Sequence, residues 1–437
     1  MTTIASLIHH SLGSPADVAV MDHAGNRAGP DGATSTLKIV RTDAYRRILQ
    51  RPGELGVARA FVAGDLDVDG DIFTVLDVGF SAGWSGTGAE LGKALVAAVG
   101  WEVVLPVPPP PEEAQVRGHL HSKERDRQAI SHHYDVSNEF YRMVLGPAMT
   151  YSCAVFETPT TSLEDAQANK HELVSQKLGL QRGMRLLDVG CGWGSMLIHA
   201  ATHHGVSGVG ITIAQRQAEL AEKRAAEAGV GDLIEIRLQD YRDIDDGPYD
   251  AISSIGMFEH VGRAQLPVYH RQLFELLRPG GRLLDHGICR PIPPHPSSLG
   301  GRAAATARRV GTAVGLSLTS RIRSPLMERY VFPDAELHEV GTVVTLLNEE
   351  GFEVRHVEDL REHYALTLRA WVRNLESSWD AAVAAVGAGR ARVWRLYMAA
   401  CALGFEHHFT EIHQVLAVKL GEHGSASFPL RPEFPLH

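Results

Sequence analysis

Apolar segments alternate with helical segments between residues 184 and 288, and this alternation constrains the fold more than any other feature of the sequence. The apolar segments read MRLLDVG, GVGITI, LIEIRLQD, YDAISSIGM and GRLLDHGI. The segments between them, such as AQRQAELAEKRAAEAG, have helical composition. Strands that alternate with helices in this way form a parallel sheet wrapped by helices. The sequence therefore predicts an α/β fold.

A proline-rich segment divides the chain into a small and a large region. Residues 106–111 read PVPPPP, and two glutamates follow. Consecutive prolines neither continue a helix nor donate to a sheet, so they favour a stiff extended spacer. Before it, VAVMDHAGN and ATSTLKIV are typical of two strands, and helical patterns follow to about residue 99. We predict a small α+β domain over residues 1–105, a linker over 106–114 and a large domain over 115–437.

Composition excludes several classes of protein. The net charge of −10 argues against a nucleic-acid binder, because such proteins neutralise phosphates with an excess of Lys and Arg. The four cysteines lie far apart without a C-x-x-C pair, which argues against a disulfide framework or a zinc site and fits a reducing cytoplasm. Neither a signal peptide nor an apolar run of about 18 residues is evident. We expect a cytoplasmic protein that would reach lipid only from the membrane surface.

A glycine-rich loop follows the first strand of the large region, in the sequence LDVGCGWGS. Glycines allow a sharp turn and a close approach to a ligand, and the N-terminus of the following helix favours polar or anionic groups. A dinucleotide site would need G-x-G-x-x-G and an acid at the end of the second strand. Here the spacing is G-x-G-x-G and the second strand ends GITIAQ. Both the glycine spacing and the acid of an NAD site are therefore missing.

The D-x-G-x-G-x-G loop, the acid in LQDYRD and the LRPGG segment together resemble the Rossmann-like class I methyltransferases that use S-adenosylmethionine. The resemblance implies that the loop over residues 190–194 lies beneath the methionine and ribose portions of this donor. It places Thr212 and Gln217 near the ribose and Asp240 or Tyr241 near the adenine; an exposed acid at a strand end is the alternative for Asp240. The donor-binding residues expected from it are Asp188, Gly190, Gly192, Gly194, Thr212, Gln217, Asp240 and Tyr241.

Further motifs resemble the cyclopropane fatty acid synthase family, also called the cyclopropane-fatty-acyl-phospholipid synthases. They are SHHYDVSNEFY, MTYSCAVF, MFEHVG, RYVFP and the HY that precedes LTLRAW. The resemblance extends from about residue 115 to the C-terminus and, more weakly, into the N-terminal domain. It implies that residues 115–437 are the catalytic domain and that Tyr151 and Ser152 join the donor site. It also implies that an alkene of a membrane phospholipid's acyl chain attacks the sulfonium methyl, and that proton loss from that methyl closes a cyclopropane ring.

This chemistry explains which side chains are needed. The carbocation requires aromatic faces and a dry pocket, since water would quench it. The resemblance implies that a bound bicarbonate is the base that accepts the proton, so Glu259 would hold the base and would not abstract the proton itself. The residues implied to hold the bicarbonate are Cys153, Glu259, His286, Ile288 through its backbone, and Tyr364. Either Asp285 or His286 can occupy the histidine place in LLDHGI.

Structural interpretations compete with these roles. Cys153 taken alone is typical of a small buried apolar residue. Tyr364 can be an ordinary core tyrosine, and Glu259 can form an ordinary salt bridge at the end of a strand. Cys401, in YMAACALGFE, resembles a family cysteine and is a weak candidate nucleophile, although its apolar helical setting suits packing.

A basic insertion over residues 291–325 departs from the family pattern. Its arginines alternate with small and apolar residues, as in RAAATARRVGTAVGLSLTSRIR. Such a segment can form a cationic lid or an interfacial helix against anionic lipid head groups, and a solvated flexible insertion is the alternative. We therefore expect peripheral binding at the inner membrane face. The resemblance also implies a homodimer.

Several functions stay open. The first transfer step can also lead, through a hydride shift, to a methylene group that a separate reductase saturates to a methyl branch. We favour the cyclopropane product. A small-molecule methyltransferase on the same scaffold and a noncatalytic lipid-binding protein are the other hypotheses.

Overall fold

The computed structural model describes residues 3–82, 96–97, 100–114, 123, 125, 137–292 and 324–436. The chain forms two compact units. The first contains Met1–Gln115, Ile292–Pro333 and Ser378–Leu403, and the second contains Val116–Pro291, Asp334–Ser377 and Gly404–His437. The first unit thus includes two segments that the sequence prediction assigned to the catalytic domain, so the predicted domain limits stay a prediction. Most of the basic insertion and the residues SHHYDV lie outside the described residues.

The first unit contains the α+β fold predicted for the N-terminal region. Its sheet has the order β2-β1-β3-β4, in which β1 and β3 are parallel and the other pairs antiparallel. The strands are β1 Val18–Met21, β2 Arg27–Ala28, β3 Ser35–Ile39 and β4 Leu66–Asp69. The helices of this region are α1 Ile4–Ser11, α2 Asp43–Gln50, α3 Glu54–Val62 and α4 Ile72–Ala82. Apolar side chains from α1, α2, α3 and all strands except β2 form its buried core.

The proline-rich segment is held by side chains of α2 and α3. Arg46 and Arg47 donate hydrogen bonds to the carbonyl oxygens of Pro106 and Pro108, at 3.1 and 2.6 Å. At the end of the segment, Glu113 forms an ion pair of 2.8 Å with Arg59. These bonds compensate for the backbone hydrogen bonds that a proline run cannot make.

The second unit is built on a seven-stranded sheet with the order β10-β11-β9-β8-β5-β6-β7. Its strands are β5 Arg185–Val189, β6 Ser207–Thr212, β7 Ile234–Leu238, β8 Tyr249–Ile255, β9 Leu277–Cys289, β10 Phe352–Asp359 and β11 Glu411–Lys419. The strands predicted between residues 184 and 288 are β5 to β9, and their parallel pairing is confirmed. The alternating pattern did not predict β10 and β11, which pair antiparallel with each other and with β9.

Helices cover both faces of this sheet. The helices of the second unit are α5 Asn138–Leu145, α6 Leu163–Leu178, α7 Ser195–His204, α8 Gln215–Glu227, α9 Phe258–Val261, α10 Leu266–Leu276, α11 Val340–Glu349 and α12 Arg361–Ser377. Two later helices, α13 Trp379–Val386 and α14 Ala388–Glu406, begin in the first unit. Strand side chains alternate between two cores: Leu186 packs with α6 and α7, and Leu187 packs with α10 and α11. Of the described helices, none is long and apolar enough to cross a membrane.

Candidate active site

The glycine-rich loop joins β5 to α7 and owes its shape to positive φ angles. Gly190, Gly192 and Gly194 have φ angles of 77°, 54° and 77°, a region that L side chains rarely adopt. The N–H groups of Gly190 and Cys191 donate to the carbonyl oxygen of Ile211 at 3.0 and 2.9 Å, which fixes the loop on β6. No atom lies within 4 Å of the place where a Cβ on Gly192 would be. The loop therefore has open space beside its middle glycine, where a ligand can approach the backbone.

Asp188 lies directly before this loop and is buried. The Ser253 hydroxyl donates a hydrogen bond of 2.6 Å to its carboxylate. Burial raises the pKa of Asp188 to about 6, although the Ser253 hydrogen bond and the nearby Lys170 ammonium oppose the increase. The carboxylate therefore sits within the fold beneath the loop, and it is linked to β8.

The two residues predicted near the ribose contact each other. The Thr212 hydroxyl, at the end of β6, donates a hydrogen bond of 2.8 Å to the side-chain oxygen of Gln217 on α8. The same hydroxyl accepts a hydrogen bond of 3.2 Å from the Ala214 N–H. The structure thus brings this predicted pair together at the end of β6, the strand to which the glycine loop is hydrogen-bonded.

The two residues predicted near the adenine follow β7. The guanidinium of Arg242 donates to the Asp240 carboxylate at 2.8 and 2.6 Å. Burial alone would raise the pKa of Asp240, but these hydrogen bonds outweigh it and hold that pKa below its ordinary value. The Tyr241 ring packs edge-on against Tyr269, with ring centroids 4.9 Å apart. Asp240 is thus half-buried and paired, and its contact with adenine stays a prediction.

A continuous series of aromatic rings runs from the glycine loop through Tyr364 to Phe405. Successive ring centroids lie between 4.7 and 6.0 Å apart. In order, the rings are Trp193, Tyr141, Tyr151, Trp371, Tyr364 and Phe405. We call this series the aromatic wall. It includes Tyr151, one of the predicted donor residues, and Tyr364, one of the predicted bicarbonate ligands. The next residue, Ser152, accepts a hydrogen bond of 2.9 Å from Gln167 through its backbone oxygen.

Cys153 is fully buried on the segment that follows Tyr151. Its thiol lies 3.2 Å from the carbonyl oxygen of Ala154. Burial raises the pKa of the thiol well above its ordinary range, so the sulfur stays protonated. The Ala154 N–H donates to the Thr367 hydroxyl on α12 at 3.0 Å, which fixes the segment beside the helix that carries Tyr364.

Glu259, at the start of α9, is buried with only half of its carboxylate hydrogen-bonded. Its Oε1 accepts a bond of 3.3 Å from the Ile288 N–H, and its Oε2 has no partner among the described residues. Burial raises the pKa of Glu259 to about 7, opposed by its backbone hydrogen bonds. A Cβ at Gly287 would lie 2.6 Å from Oε2, so the glycine makes room for this carboxylate.

Asp285 and His286 face opposite sides of β9 and differ in their partners. Asp285 accepts hydrogen bonds from the Ser254 hydroxyl at 2.8 Å and from His270 at 3.1 Å, so both of its oxygens are paired. His286 Nδ1 lies 3.2 Å from the Gln414 amide, and its Nε2 has no partner among the described residues. Burial lowers the pKa of His286 well below its ordinary value, so the ring is neutral. This arrangement favours His286 for the place that the sequence left open.

Cys401 belongs to the first compact unit, whereas the other predicted catalytic residues belong to the second. Burial, with a smaller effect of the Glu54 charge, raises the pKa of its thiol to about 12. Since the thiolate is the nucleophile, a thiol that stays protonated at neutral pH is poorly suited to attack. The structure therefore gives no support to Cys401 as a nucleophile.

Lys170 on α6 is a candidate that sequence reasoning missed. The residue is 1% exposed, so its ammonium is removed from bulk water. It interacts electrostatically with Asp188 and Cys153, and burial lowers its pKa to about 7. The available signal was helical spacing, because Lys170 occupies the same apolar stripe as Leu163 and Val174.

Residues 121–415 match the family described as mycolic acid cyclopropane synthetase. The chain belongs to this family. It is therefore an S-adenosylmethionine-dependent methyltransferase of the cyclopropane synthase type, as the sequence predicted, and its sheet is the class I methyltransferase sheet. The matched residues include the glycine loop and the strands β5 to β9.

The matches to known proteins cover different shares of the chain. A probable fatty acid methyltransferase of Mycobacterium tuberculosis is 43% identical over 93% of this chain and 92% of its own length. A tuberculostearic acid methyltransferase of the same organism is 31% identical over 90% of this chain and 85% of its own. Among solved structures, a mycolic acid cyclopropane synthase in complex with S-adenosylhomocysteine covers 67% of this chain and 97% of its own, at 30% identity and a TM-score of 0.59.

Proposed function

We propose that this methyltransferase transfers the methyl group of S-adenosylmethionine to the double bond of an unsaturated acyl chain in a membrane phospholipid. The observation that carries the proposal is the aromatic wall, which extends from the glycine loop to Tyr364. The names of the relatives, which specify fatty acids, support an acyl substrate.

The wall suits a reaction that generates a carbocation. S-adenosylmethionine, when bound, supplies an electrophilic methyl group on its sulfonium. The faces of Tyr151 and Trp371 attract positive charge, and their apolar bulk excludes the water that would quench it. The adjacent buried thiol of Cys153 is protonated and therefore a weak competitor for the methyl group.

We further propose that a bicarbonate ion is held by Cys153, Glu259, His286, Ile288 and Tyr364. The fit rests on two buried polar atoms without partners among the described residues, Glu259 Oε2 and His286 Nε2. Leaving such atoms unpaired costs about 1–3 kcal/mol each, which hydrogen bonds to a small acid would recover. Bicarbonate, when bound, supplies the base for the proton lost from the transferred methyl. In this arrangement Glu259 positions the base and is not itself the proton acceptor.

The proposed product is a cyclopropane fatty acid. A methylene or methyl-branched fatty acid is the second candidate, and one observation favours it: three relatives matched over at least 87% of the chain carry the name methyltransferase, not cyclopropane synthase. Both products share the first transfer step, and the second would require a separate reductase. We propose peripheral binding at the inner membrane face and a homodimer for either product.

The decisive experiment combines the protein, S-adenosylmethionine and vesicles that contain a monounsaturated phospholipid. The fatty acids are then analysed by mass spectrometry with fragmentation. We expect a mass gain of one CH2, and the fragmentation pattern distinguishes a ring from a methylene. Activity on a soluble small molecule without lipid, or no modified acyl chain at all, would overturn the proposal.

A further inference from the structure

A cluster of metal-ligating side chains lies between α6 and α7. Glu172 is on α6, and His199 and His204 are on the last turns of α7. Their possible ligand atoms all lie within 4.8 Å of one another, and no other such group of three or more occurs in the described part of the chain. No motif considered in the sequence analysis includes these residues.

One carboxylate oxygen is the centre of the cluster. Glu172 Oε2 lies 3.1 Å from Nε2 of His199 and 3.0 Å from Nε2 of His204. The other oxygen, Oε1, accepts a hydrogen bond of 3.0 Å from the side-chain amide of Gln176, one turn later on α6. This bond orients the carboxylate so that its remaining oxygen faces both imidazoles. Metal-binding carboxylates are commonly oriented by such outer hydrogen bonds.

From this geometry we infer a binding site for a divalent transition-metal ion, with Zn²⁺ as the reference ion. Two imidazole nitrogens and one carboxylate oxygen are a donor set that suits Zn²⁺ and its neighbours in the first transition row, and not Mg²⁺ or Ca²⁺. Metal–ligand bonds of about 2.0–2.1 Å in a tetrahedron separate ligand atoms by roughly 3.3 Å. The two separations between Glu172 and the histidines, 3.1 and 3.0 Å, are close to that value, and the two imidazole nitrogens lie within 4.8 Å of each other. A water molecule would complete the coordination.

Partial burial is consistent with an ion that enters from solvent and is then retained. The side chains of His199, His204 and Glu172 are 13%, 20% and 26% exposed. The alternative to a metal is a purely hydrogen-bonded triad, in which both imidazoles donate an N–H to the same oxygen. An ion would displace the two N–H donors, and each neutral imidazole would then carry its proton on Nδ1, so the two states differ in metal binding.

The metal ion would link α6 and α7, which lie next to the glycine loop and Asp188. It would take no part in the methyl transfer itself. Helix α7 begins directly after Gly194 of the glycine loop, and α6 carries Lys170 two residues before Glu172. An ion held between the middle of α6 and the C-terminal half of α7 would therefore stiffen the packing of these two helices. This inference is independent of the proposed substrate.

The test uses the full chain, prepared without a histidine tag and freed of metal. Co²⁺ is titrated and read by the visible absorption of the bound ion, and Zn²⁺ is then added in competition. Because the chain has 23 histidines, the comparison with variants identifies the site. Glu172→Gln and His199→Gln should each weaken Zn²⁺ binding by at least tenfold. His408→Gln is the matched control, since His408 forms an exposed pair with Glu411 that offers two ligand groups only.

Each outcome decides the question. Two results together support the site. One equivalent of Zn²⁺ binds tightly to the wild type and to His408→Gln but not to Glu172→Gln or His199→Gln, and Zn²⁺ raises the thermal midpoint of the wild type and His408→Gln but not of the two site variants. Equal binding by wild type and both site variants would overturn it and leave the hydrogen-bonded triad. Circular dichroism of the metal-free variants verifies that they are folded, so that lost binding is not lost structure.

Discussion

The Ile288 N–H donates a hydrogen bond to Oε1 of Glu259 at 3.3 Å, and this bond joins the start of α9 to the end of β9. It leaves the second oxygen of a buried carboxylate with no partner among the described residues. A carboxylate held on one side only is positioned to bind a further small polar group. Glu259 is therefore the residue whose substitution tests the site most directly.

Glu259→Gln should bind S-adenosylmethionine as the wild type does and lose turnover by about 100-fold, since misplacing a general base has costs of that order. Calorimetric titration measures donor binding, and methyl transfer to vesicles measures turnover. Excess bicarbonate should restore part of the rate. Glu235→Gln is the control, because Glu235 forms an exposed pair with Arg237. Wild-type turnover in Glu259→Gln would assign Glu259 a structural role only.

Stability should depend on pH through Glu259. Its folded pKa of about 7 lies above its ordinary value of 4.5, so the folded state binds more protons than the unfolded state between these values. The free energy of unfolding should therefore fall by at most a few kcal/mol as pH rises from about 4.5 to 7, and it should be constant above that range. Glu259→Gln should lessen this decrease in urea unfolding measured at pH 5 and pH 8, and the part that remains is expected from Asp188, whose pKa is also raised, to about 6. An unchanged slope in the variant would show that other groups cause it.

Lys170→Met should stabilise the protein. The folded pKa of Lys170, about 7, lies below its ordinary value of 10.5, so at pH 7–8 the unfolded state holds this proton more strongly and the buried ammonium weakens the fold. Urea unfolding at pH 7.5 should show a gain of the order of 1 kcal/mol or more.

Lys177→Met is the matched control for this prediction. Lys177 lies on the same helix, but its ammonium donates to Gln414 at 2.6 Å and to Glu358. Removing it leaves the buried side-chain oxygen of Gln414 without this donor and should destabilise the protein by about 1–3 kcal/mol. If both lysine variants lose stability, the ammonium of Lys170 is also structurally paired, and our interpretation of it is wrong.

Gly190→Ala should weaken donor binding and lower stability. The residue has a φ of 77°, and an added Cβ would lie 2.5 Å from the sulfur of Met257. Strain of this kind costs about 1–3 kcal/mol. Gly341→Ala is the control: Gly341 lies in α11 with open space around it, so alanine there should be neutral or stabilising by up to about 1 kcal/mol. Thermal unfolding with and without S-adenosylmethionine gives both quantities.

Tyr364→Phe separates the ring from the hydroxyl. The ring contacts Trp371 and Phe405, and phenylalanine keeps both contacts. We expect a change in stability within about 1 kcal/mol and a loss of turnover of at least tenfold, because the hydroxyl is the group proposed to bind bicarbonate. Turnover equal to the wild type would remove Tyr364 from the proposed ligands and leave it as part of the aromatic wall.

The central part of the fold could be predicted from sequence because its signals are local. Strands β5 to β9 are short apolar runs separated by helical segments, and parallel pairing follows from that order alone. The glycines at 190, 192 and 194 were recognisable because their positive φ angles require that residue type. Strands β10 and β11 were missed because their antiparallel places in the sheet depend on partners distant in sequence.

Only the tertiary structure decided which polar groups meet. The sequence by itself determined that Asp285 and His286 point to opposite faces of β9, since strand side chains alternate. It could not determine which face holds Gln414 and which holds His270, because those partners come from β11 and α10. The same limit concealed Lys170 and the cluster around Glu172. Secondary structure depends on neighbouring residues, whereas burial and the pairing of charges depend on segments that come together only when the chain folds.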